Sequence, residues 1–150
     1  MQTPRDSQPT IDKARTEELP AVLALLDECR LPRDGVEDHL ETLLVAHSGN
    51  AVVGSAAVEI YDEAALLRSV AVSESCRGTG LGQRLTRAAL DLARTRGVRR
   101  VFLLTETAGS FFPRFGFRTV ARADVPATVQ QSVEFRSACP ASALAMGLDL

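Results

Sequence analysis

Residues Arg77-Gly78-Thr79-Gly80-Leu81-Gly82 separate an apolar run, Leu66–Val72, from a long amphipathic segment, Leu81–Arg96. A strand must therefore hand the chain to a glycine turn, and the turn must open directly into a helix. Glycines remove Cβ atoms, so successive backbone N–H groups can converge on an anion. The helix start adds a partial positive charge in the same place. The plain alternative is a turn that only joins strand to helix.

The spacing excludes the commoner phosphate loops. A dinucleotide fingerprint needs glycine at 83 or 85, where the chain has Gln83 and Leu85. A Walker loop needs Gly-Lys-Ser/Thr, and Lys13 is the only lysine in the chain. Arg77-x-x-Gly80-x-Gly82 remains. Arginine keeps its charge and grips carboxylate or phosphate with a planar fork, so the arginines become the residues to follow.

A length of 150 residues suits one domain with one sizeable core. The net charge of −2 gives no reason to expect nucleic acid as a partner. No apolar run is long enough to span a membrane. Met1–Pro9 is polar and contains proline, so it reads as a flexible tail ahead of a single domain over residues 10–150. Cys29, Cys76 and Cys139 are odd in number and match no zinc spacing. Free thiols in a reducing cytoplasm, with no metal site, are expected.

Along the chain, Thr10–Ala14 reads as a short strand and Thr16 onward as a helix entrance. Leu19, Val22, Leu23, Leu25 and Leu26 give that helix its apolar face. A second short helix is expected over Val36–Leu40. Leu43–Ala46, Ala51–Ile60 and Ala65–Val72 read as an antiparallel meander with turns at Ser48-Gly49-Asn50 and Asp62-Glu63. Gly54 inside the second strand suggests a bulge or a close backbone approach. Leu81, Leu85, Ala88, Ala89 and Leu92 share one helix face, and Arg84, Arg87, Asp91 and Arg94 the other. Gly97 should cap this helix. A buried strand over Val101–Leu104, a helix over Ala108–Phe115 limited by Pro113, a strand over Phe117–Ala121, a polar lid with a helical turn over Asp124–Gln131 and a last strand over Ala141–Leu150 complete the order. The crossover makes Leu66–Val72 and Val101–Leu104 parallel neighbours.

This order, with Arg77-x-x-Gly80-x-Gly82 after the central strand, resembles the GNAT N-acetyltransferases over most of the chain. Ser110-Phe111-Phe112-Pro113-Arg114-Phe115-Gly116-Phe117 looks like the family's later aromatic segment. Leu66–Val72, Phe111-Phe112 and Glu134-Phe135-Arg136-Ser137-Ala138-Cys139-Pro140-Ala141-Ser142 resemble the ArsN-type acetyltransferases encoded with arsenic-resistance genes. They are similar, more weakly, to the acetyltransferase domain of N-acetylglutamate synthase.

The resemblance implies an α/β GNAT fold. A central mixed sheet of six or seven strands is flanked by helices and splayed between the strand at about 66–72 and its parallel neighbour at about 101–105. It implies acetyl-CoA as cofactor. Arg77, Gly78, Thr79, Gly80, Leu81 and Gly82 would hold the pyrophosphate, and the backbone of Val70, Ala71 and Val72 the pantetheine arm. Phe112 is counted with these cofactor residues, although the family usually has a tyrosine there that protonates the departing thiolate. An amine nucleophile must lose a proton. Glu59 is the first candidate base and Glu106 the second, with a water chain to a backbone carbonyl as competitor.

Strict alternation back from Val72 puts Arg68 on one face with Val70. A charge inside an apolar strand needs a partner or a cleft. Arg68 is thus read either as a structural ion pair with Glu59 or Glu63, or as a clamp for a substrate carboxylate. Arg33 and Arg136 are placed like basic residues that bind glutamate in the synthase. The expected activity is acetylation of the α-amine of a small acidic amino acid or of a glutamate mimic such as phosphinothricin or arsinothricin, in arsenic resistance. The alternatives are an N-acetylglutamate synthase-type enzyme, a non-catalytic acyl-CoA-binding module, and acetylation of protein amines. A small-molecule amine is the expected partner, with a homodimer admitted as an assembly.

Overall fold

Among the described residues, seven strands hydrogen-bond in the order β1-β2-β3-β4-β5-β7-β6. They are β1 Thr10–Lys13, β2 Leu43–Ser48, β3 Ala51–Tyr61, β4 Ala64–Val72, β5 Arg100–Thr105, β6 Arg118–Thr119 and β7 Leu144–Asp149. The helices are α1 Leu19–Glu28, α2 Leu81–Thr95 and the short α3 Ala127–Gln130. This computed structural model describes residues 8–106, 108–138 and 142–150. The tail expected over Met1–Pro9 therefore lies, up to residue 7, outside the described residues, as do Cys139 and the first residue of the last expected strand. Among the described residues, no helix is long and apolar enough to cross a membrane.

The meander pairs antiparallel from β1 to β2 and from β2 to β3. β4 then pairs parallel to β5, from Ala64 opposite Arg100 to Leu66 opposite Phe102. β7 runs antiparallel to both β5 and β6. The fold class is therefore the one expected, a mixed sheet with a parallel β4–β5 pair. The contacts divide the chain into two compact units. One comprises the residues up to Ala57 with Ser69–Ala89, the other Val58–Arg68 with Leu90–Leu150.

In the first unit, Val22, Leu25 and Leu26 of α1 bury against Leu43 and Val45 of β2. Each such side chain contributes about 1.5–3 kcal/mol by leaving water. Gly54 explains itself here in both expected ways. Ala46 pairs with Gly54 but His47 pairs with Val52, so Val53 is an extra residue in β3. The Val53 carbonyl accepts the Ser73 N–H instead, at 2.8 Å, which anchors the chain where it leaves β4. A Cβ on Gly54 would stand 2.7 Å from Leu85 Cδ1, 3.2 Å from the Ala71 carbonyl oxygen and 3.3 Å from Leu81 Cδ2. The first turns of α2 can lie on β3 only because Gly54 has no side chain.

The second unit buries Leu66, Phe102, Val125 and Val129 together, with Tyr61 and Phe135 packed on them. Three expectations change here. The stretch 124–131 contains the expected helical turn, α3, but it is less polar in effect than expected, because Val125 and Val129, four residues apart, are 3% and 0% exposed. The helix expected over Ala108–Phe115 shrinks to a 3-10 turn over Phe112–Phe115, ended by Gly116 at φ 100°. Pro113 has no N–H for a longer helix. The strand expected over Phe117–Ala121 is two residues long, although Val120 still donates to the Ala145 carbonyl at 2.9 Å. In the first unit, the helix expected over Val36–Leu40 is 3-10 over Val36–Thr42 and kinked at His39.

Glu18 sits at the junction of the opening 3-10 turn and α1. Its carboxylate accepts the Arg15 N–H at 2.8 Å and bonds the His47 ring. The Arg15 N–H first, and His47 second, hold its pKa below the ordinary 4.5. A depressed carboxylate stabilises the fold fully above its unfolded value and loses that contribution as pH falls through the lower folded value. Glu18→Gln should therefore be less stable than wild type at neutral pH, with the gap closing as pH falls below the ordinary 4.5, read by urea unfolding. Gly54→Ala should lower unfolding free energy by about 1–3 kcal/mol in the same assay, as overpacking does. An unchanged midpoint would show that α2 does not lean on Gly54.

Candidate active site

The glycine loop leaves β4 at Ser73 and passes through a 3-10 turn over Glu74–Cys76. Gly78 and Gly80 take φ 79° and 84°, a region L side chains rarely adopt. A Cβ at either would have no atom within 4 Å, so the loop presents bare backbone on an open side. Thr79 Oγ1 donates to the Cys76 carbonyl at 2.5 Å and the Arg84 N–H to the Gly80 carbonyl at 3.1 Å, which closes the first turn of α2. The N–H groups ahead of that bond, Leu81 to Gln83, have no intrahelical acceptor by helix geometry. Glycine backbone and helix start together are suited to a pyrophosphate.

Arg77 is exposed and turns back on the strand. Its Nε donates to the Val72 carbonyl at 3.3 Å, and its Nη2 lies 3.6 Å from Cys29 Sγ. The Cys29 thiol also donates to Val72, at 3.5 Å. Val70 and Val72 are half-buried and Ala71 is buried.

Just before them, Ser69 has φ 59°, inside a strand and without being glycine. Such a residue costs on the order of 1–3 kcal/mol and persists only where its surroundings impose it. The buried Ser55 hydroxyl imposes it in part, donating to the Ser69 carbonyl at 2.7 Å. This break in the pleat corrects the alternation count. Arg68 and Val70 cannot be assigned one face by counting across Ser69.

Arg68 lies in the second unit with its side chain 0% exposed. Its Nη1 donates to Glu59 Oε2 at 2.8 Å, and its Nε lies 3.3 Å from Glu134 Oε2. The Tyr61 hydroxyl donates to the other Glu59 oxygen. Burial first, and the Glu59 hydrogen bond second, hold the Tyr61 phenol above its ordinary range, so it stays protonated. Of the two carboxylates named as bases, Glu59 is 1% exposed inside this network, and Glu106 is exposed just beyond β5.

Arg33 is on the surface, 2.9 Å from Asp27. It borders a pocket of about 410 Å³ in the first unit, with Leu19, Leu23, Asp34 and Glu37. Arg136 is exposed on a π-helical turn, Glu134–Ala138, of the second unit. Phe112 is buried, edge-on to Phe111 at 5.1 Å and to Phe117 at 5.8 Å. Sequence reasoning gave no role to Ser55, Ser69, Tyr61 or Glu134. Tyr61 alone carried a usable signal, standing two residues from Glu59 on the same strand face.

The strand, the glycine loop and the start of α2 all fall within the stretch that matches a known family. Residues 39–119 match the acetyltransferase (GNAT) domain, and the chain belongs to that family of acetyl-CoA-dependent acyltransferases. It is 33% identical over 138 residues to an amino-acid acetyltransferase of Mycobacterium tuberculosis, covering 84% of this chain and 78% of that one. It is 31% identical over 129 residues to an amino-acid acetyltransferase of Neisseria meningitidis. That match covers 79% of this chain but only 29% of the longer Neisseria protein.

Among solved structures, a Mycobacterium tuberculosis protein in complex with CoA and NLQ superimposes with a TM-score of 0.80 at 26% identity, over 95% of this chain and 99% of that one. N-acetylglutamate synthase from Neisseria gonorrhoeae, complexed with coenzyme A and N-acetyl-glutamate, shares the fold with a TM-score of 0.81 at 23% identity. Here 95% of this chain covers 35% of the synthase chain.

Ser55→Ala removes the hydroxyl from a buried carbonyl, which costs about 1–3 kcal/mol. Unfolding should show that loss, and calorimetry should show weaker coenzyme A binding as the end of β4 relaxes. Wild-type stability and affinity together would mean that Ser55 does not hold the bend.

Proposed function

We propose that the chain transfers acetyl from acetyl-CoA to the α-amine of a small acidic amino acid or a glutamate analogue, in the cytoplasm, as a detoxifying step of the arsinothricin or phosphinothricin kind. The observation that carries the acceptor class is the Arg33 pocket. A guanidinium and two carboxylates, Asp34 and Glu37, line one concave surface over Leu19 and Leu23. That pairing recognises a molecule with both a carboxylate and an ammonium. The Arg33–Asp27 pair is about half exposed on both sides and so is worth little on its own, which leaves Arg33 able to take another carboxylate. Arg136, exposed in the second unit, is proposed in its own right as a contact for a carboxylate. The amino-acid acetyltransferases among the relatives support the same class, and N-acetylglutamate synthase-type activity on glutamate itself is the second reading they favour.

Acetyl-CoA supplies the acyl group as an activated thioester. The residues present fit it. The bare backbone of Gly78 and Gly80 and the start of α2 would hold the pyrophosphate, and the backbone of Val70–Val72 the pantetheine arm. Preorganised N–H donors at such a place contribute about 3–4 kcal/mol to the transition state. Of the carboxylates proposed as base, Glu106 has the solvent access that proton removal from an entering ammonium requires. Glu59, committed to Arg68 and Tyr61, suits the positioning of both. Arg68, enclosed by two carboxylates, suits positioning more than direct contact. Phe112 has no proton to give the departing thiolate, and coenzyme A thiolate is a good enough leaving group to depart without one.

Thiol release by purified protein tests this reading with glutamate, phosphinothricin and arsinothricin beside neutral and basic amino acids. The acidic acceptors should lead in kcat/KM. Arg33→Ala should raise the acceptor KM by about 10-fold or more, the worth of one charged hydrogen bond, and leave the acetyl-CoA KM within about 2-fold. A preference for neutral or basic amines would sink the proposal.

A further inference from the structure

The second unit buries three charged side chains where apolar ones would cost less. Glu59, Arg68 and Glu134 are 1%, 3% and 3% exposed. Burying an ion costs several kcal/mol, and replacing such a group by well-packed apolar residues is often neutral or stabilising. Stability is therefore a weak reason for this network to exist. Its geometry offers a better one.

Glu134 opens the π-helical turn Glu134–Ala138. Turns of this kind are rare, mostly single, and frequent at functional sites. A five-residue turn cannot hold itself, because helix nucleation is unfavourable at that length. Among the described residues, the following attachments hold this one. Phe135 packs on the Leu66 and Phe102 core, with the Arg122 guanidinium over its ring at 5.8 Å. Ser132 accepts from the chain twice, through its hydroxyl from the Phe135 N–H at 3.3 Å and through its carbonyl from the Arg136 N–H at 3.0 Å. Glu134 meets Arg68 Nε at 3.3 Å. Of these, the ion pair is the charged tie to β4, beside the apolar contact of Phe135 with Leu66. Arg68 is itself fixed from the other side by Glu59, whose second oxygen is occupied by Tyr61. Arg136 follows two residues after Glu134, exposed and on the same turn.

We propose that Glu134 is a positioning residue: its ion pair with Arg68 fastens the π-helical turn Glu134–Ala138 and so fixes where Arg136 meets the acceptor's carboxylate. The part played by Arg136 rests on the acidic-acceptor reading above; the fastening itself does not. Charge balance makes the test clean. Glu134→Gln leaves Arg68 and Glu59 as a one-to-one pair, so the buried charge is no less compensated than before.

Two measurements on Glu134→Gln, Glu134→Asp and Arg136→Ala decide the matter. Hydrogen exchange in the absence of substrate should quicken at the Phe135 and Arg136 amides of Glu134→Gln by about 10-fold, with α2 and β5 unchanged, as a local opening does. In thiol-release kinetics with whichever acidic amine the wild type prefers, Glu134→Gln should raise the acceptor KM by about 10-fold and leave the acetyl-CoA KM within about 2-fold. Glu134→Asp should restore part of the loss, and it carries the test if the glutamine variant does not fold. Added to Arg136→Ala, Glu134→Gln should raise the acceptor KM no further, because the two act through one contact. Unchanged exchange at the turn, or additive effects with Arg136→Ala, would overturn the proposal. A wild type that ignores acidic amines would overturn the acceptor reading instead, while the exchange result still decides whether Glu134 fastens the turn.

Discussion

The contact of Leu81 and Leu85 with the bare Cα of Gly54 is the constraint from which the cofactor end of the first unit follows. It seats the beginning of α2 against β3 and beside the Ala71 carbonyl. Once that end is fixed, the eight residues between Val72 and α2 have little choice of path. The bulge at Val53 turns a carbonyl toward Ser73 and pins the exit from β4. The glycines at 78 and 80 then absorb the remaining reversal in backbone conformations other residues resist. Packing thus aims the N–H groups at the start of α2, and the loop only has to leave them uncovered.

Charge organises the second unit where packing organises the first. Arg68 is placed in the middle of the apolar run of β4, and two carboxylates from distant parts of the chain close around it. An unpaired guanidinium there would be far too costly, so Arg68 must keep a carboxylate beside it. That gives it directional value. Apolar side chains would bury as well with the 134–138 turn rotated or shifted, whereas an ion pair specifies one position for it. β4 carries Arg68 at one residue, the left-handed Ser69 at the next and the half-buried Val70 after it, so a single strand delivers the charge network and the end of the glycine loop.

Much of this was legible from the residues alone. α2 was readable because Leu81, Leu85, Ala89 and the facing arginines repeat at helical spacing, and local repetition needs no tertiary knowledge. Gly54 was readable as an anomaly in an apolar strand, and both meanings offered for it occur. The need of Arg68 for a partner was readable from its setting, and Glu59 was among the partners named. Other features were not legible because their causes are remote. Ser69 looks like any strand serine, and the hydroxyl that bonds its carbonyl belongs to Ser55, fourteen residues earlier. Val125 and Val129 were hidden by polar neighbours, since two residues are too few for a period. Glu134 is separated from Arg68 by sixty-six positions, and no local pattern links them.

The sequence by itself determined the family, the order of elements along the chain, the parallel β4–β5 pair and the loop suited to a pyrophosphate. Each of these rests on short-range signals: hydrophobic period, glycine placement and chain order. Tertiary structure alone decided which charges are buried, which arginines stay at the surface, and that Arg68 is held by two carboxylates. Those outcomes depend on which distant side chains share a low-dielectric interior, where the energy of a charge is set by neighbours that only folding brings together.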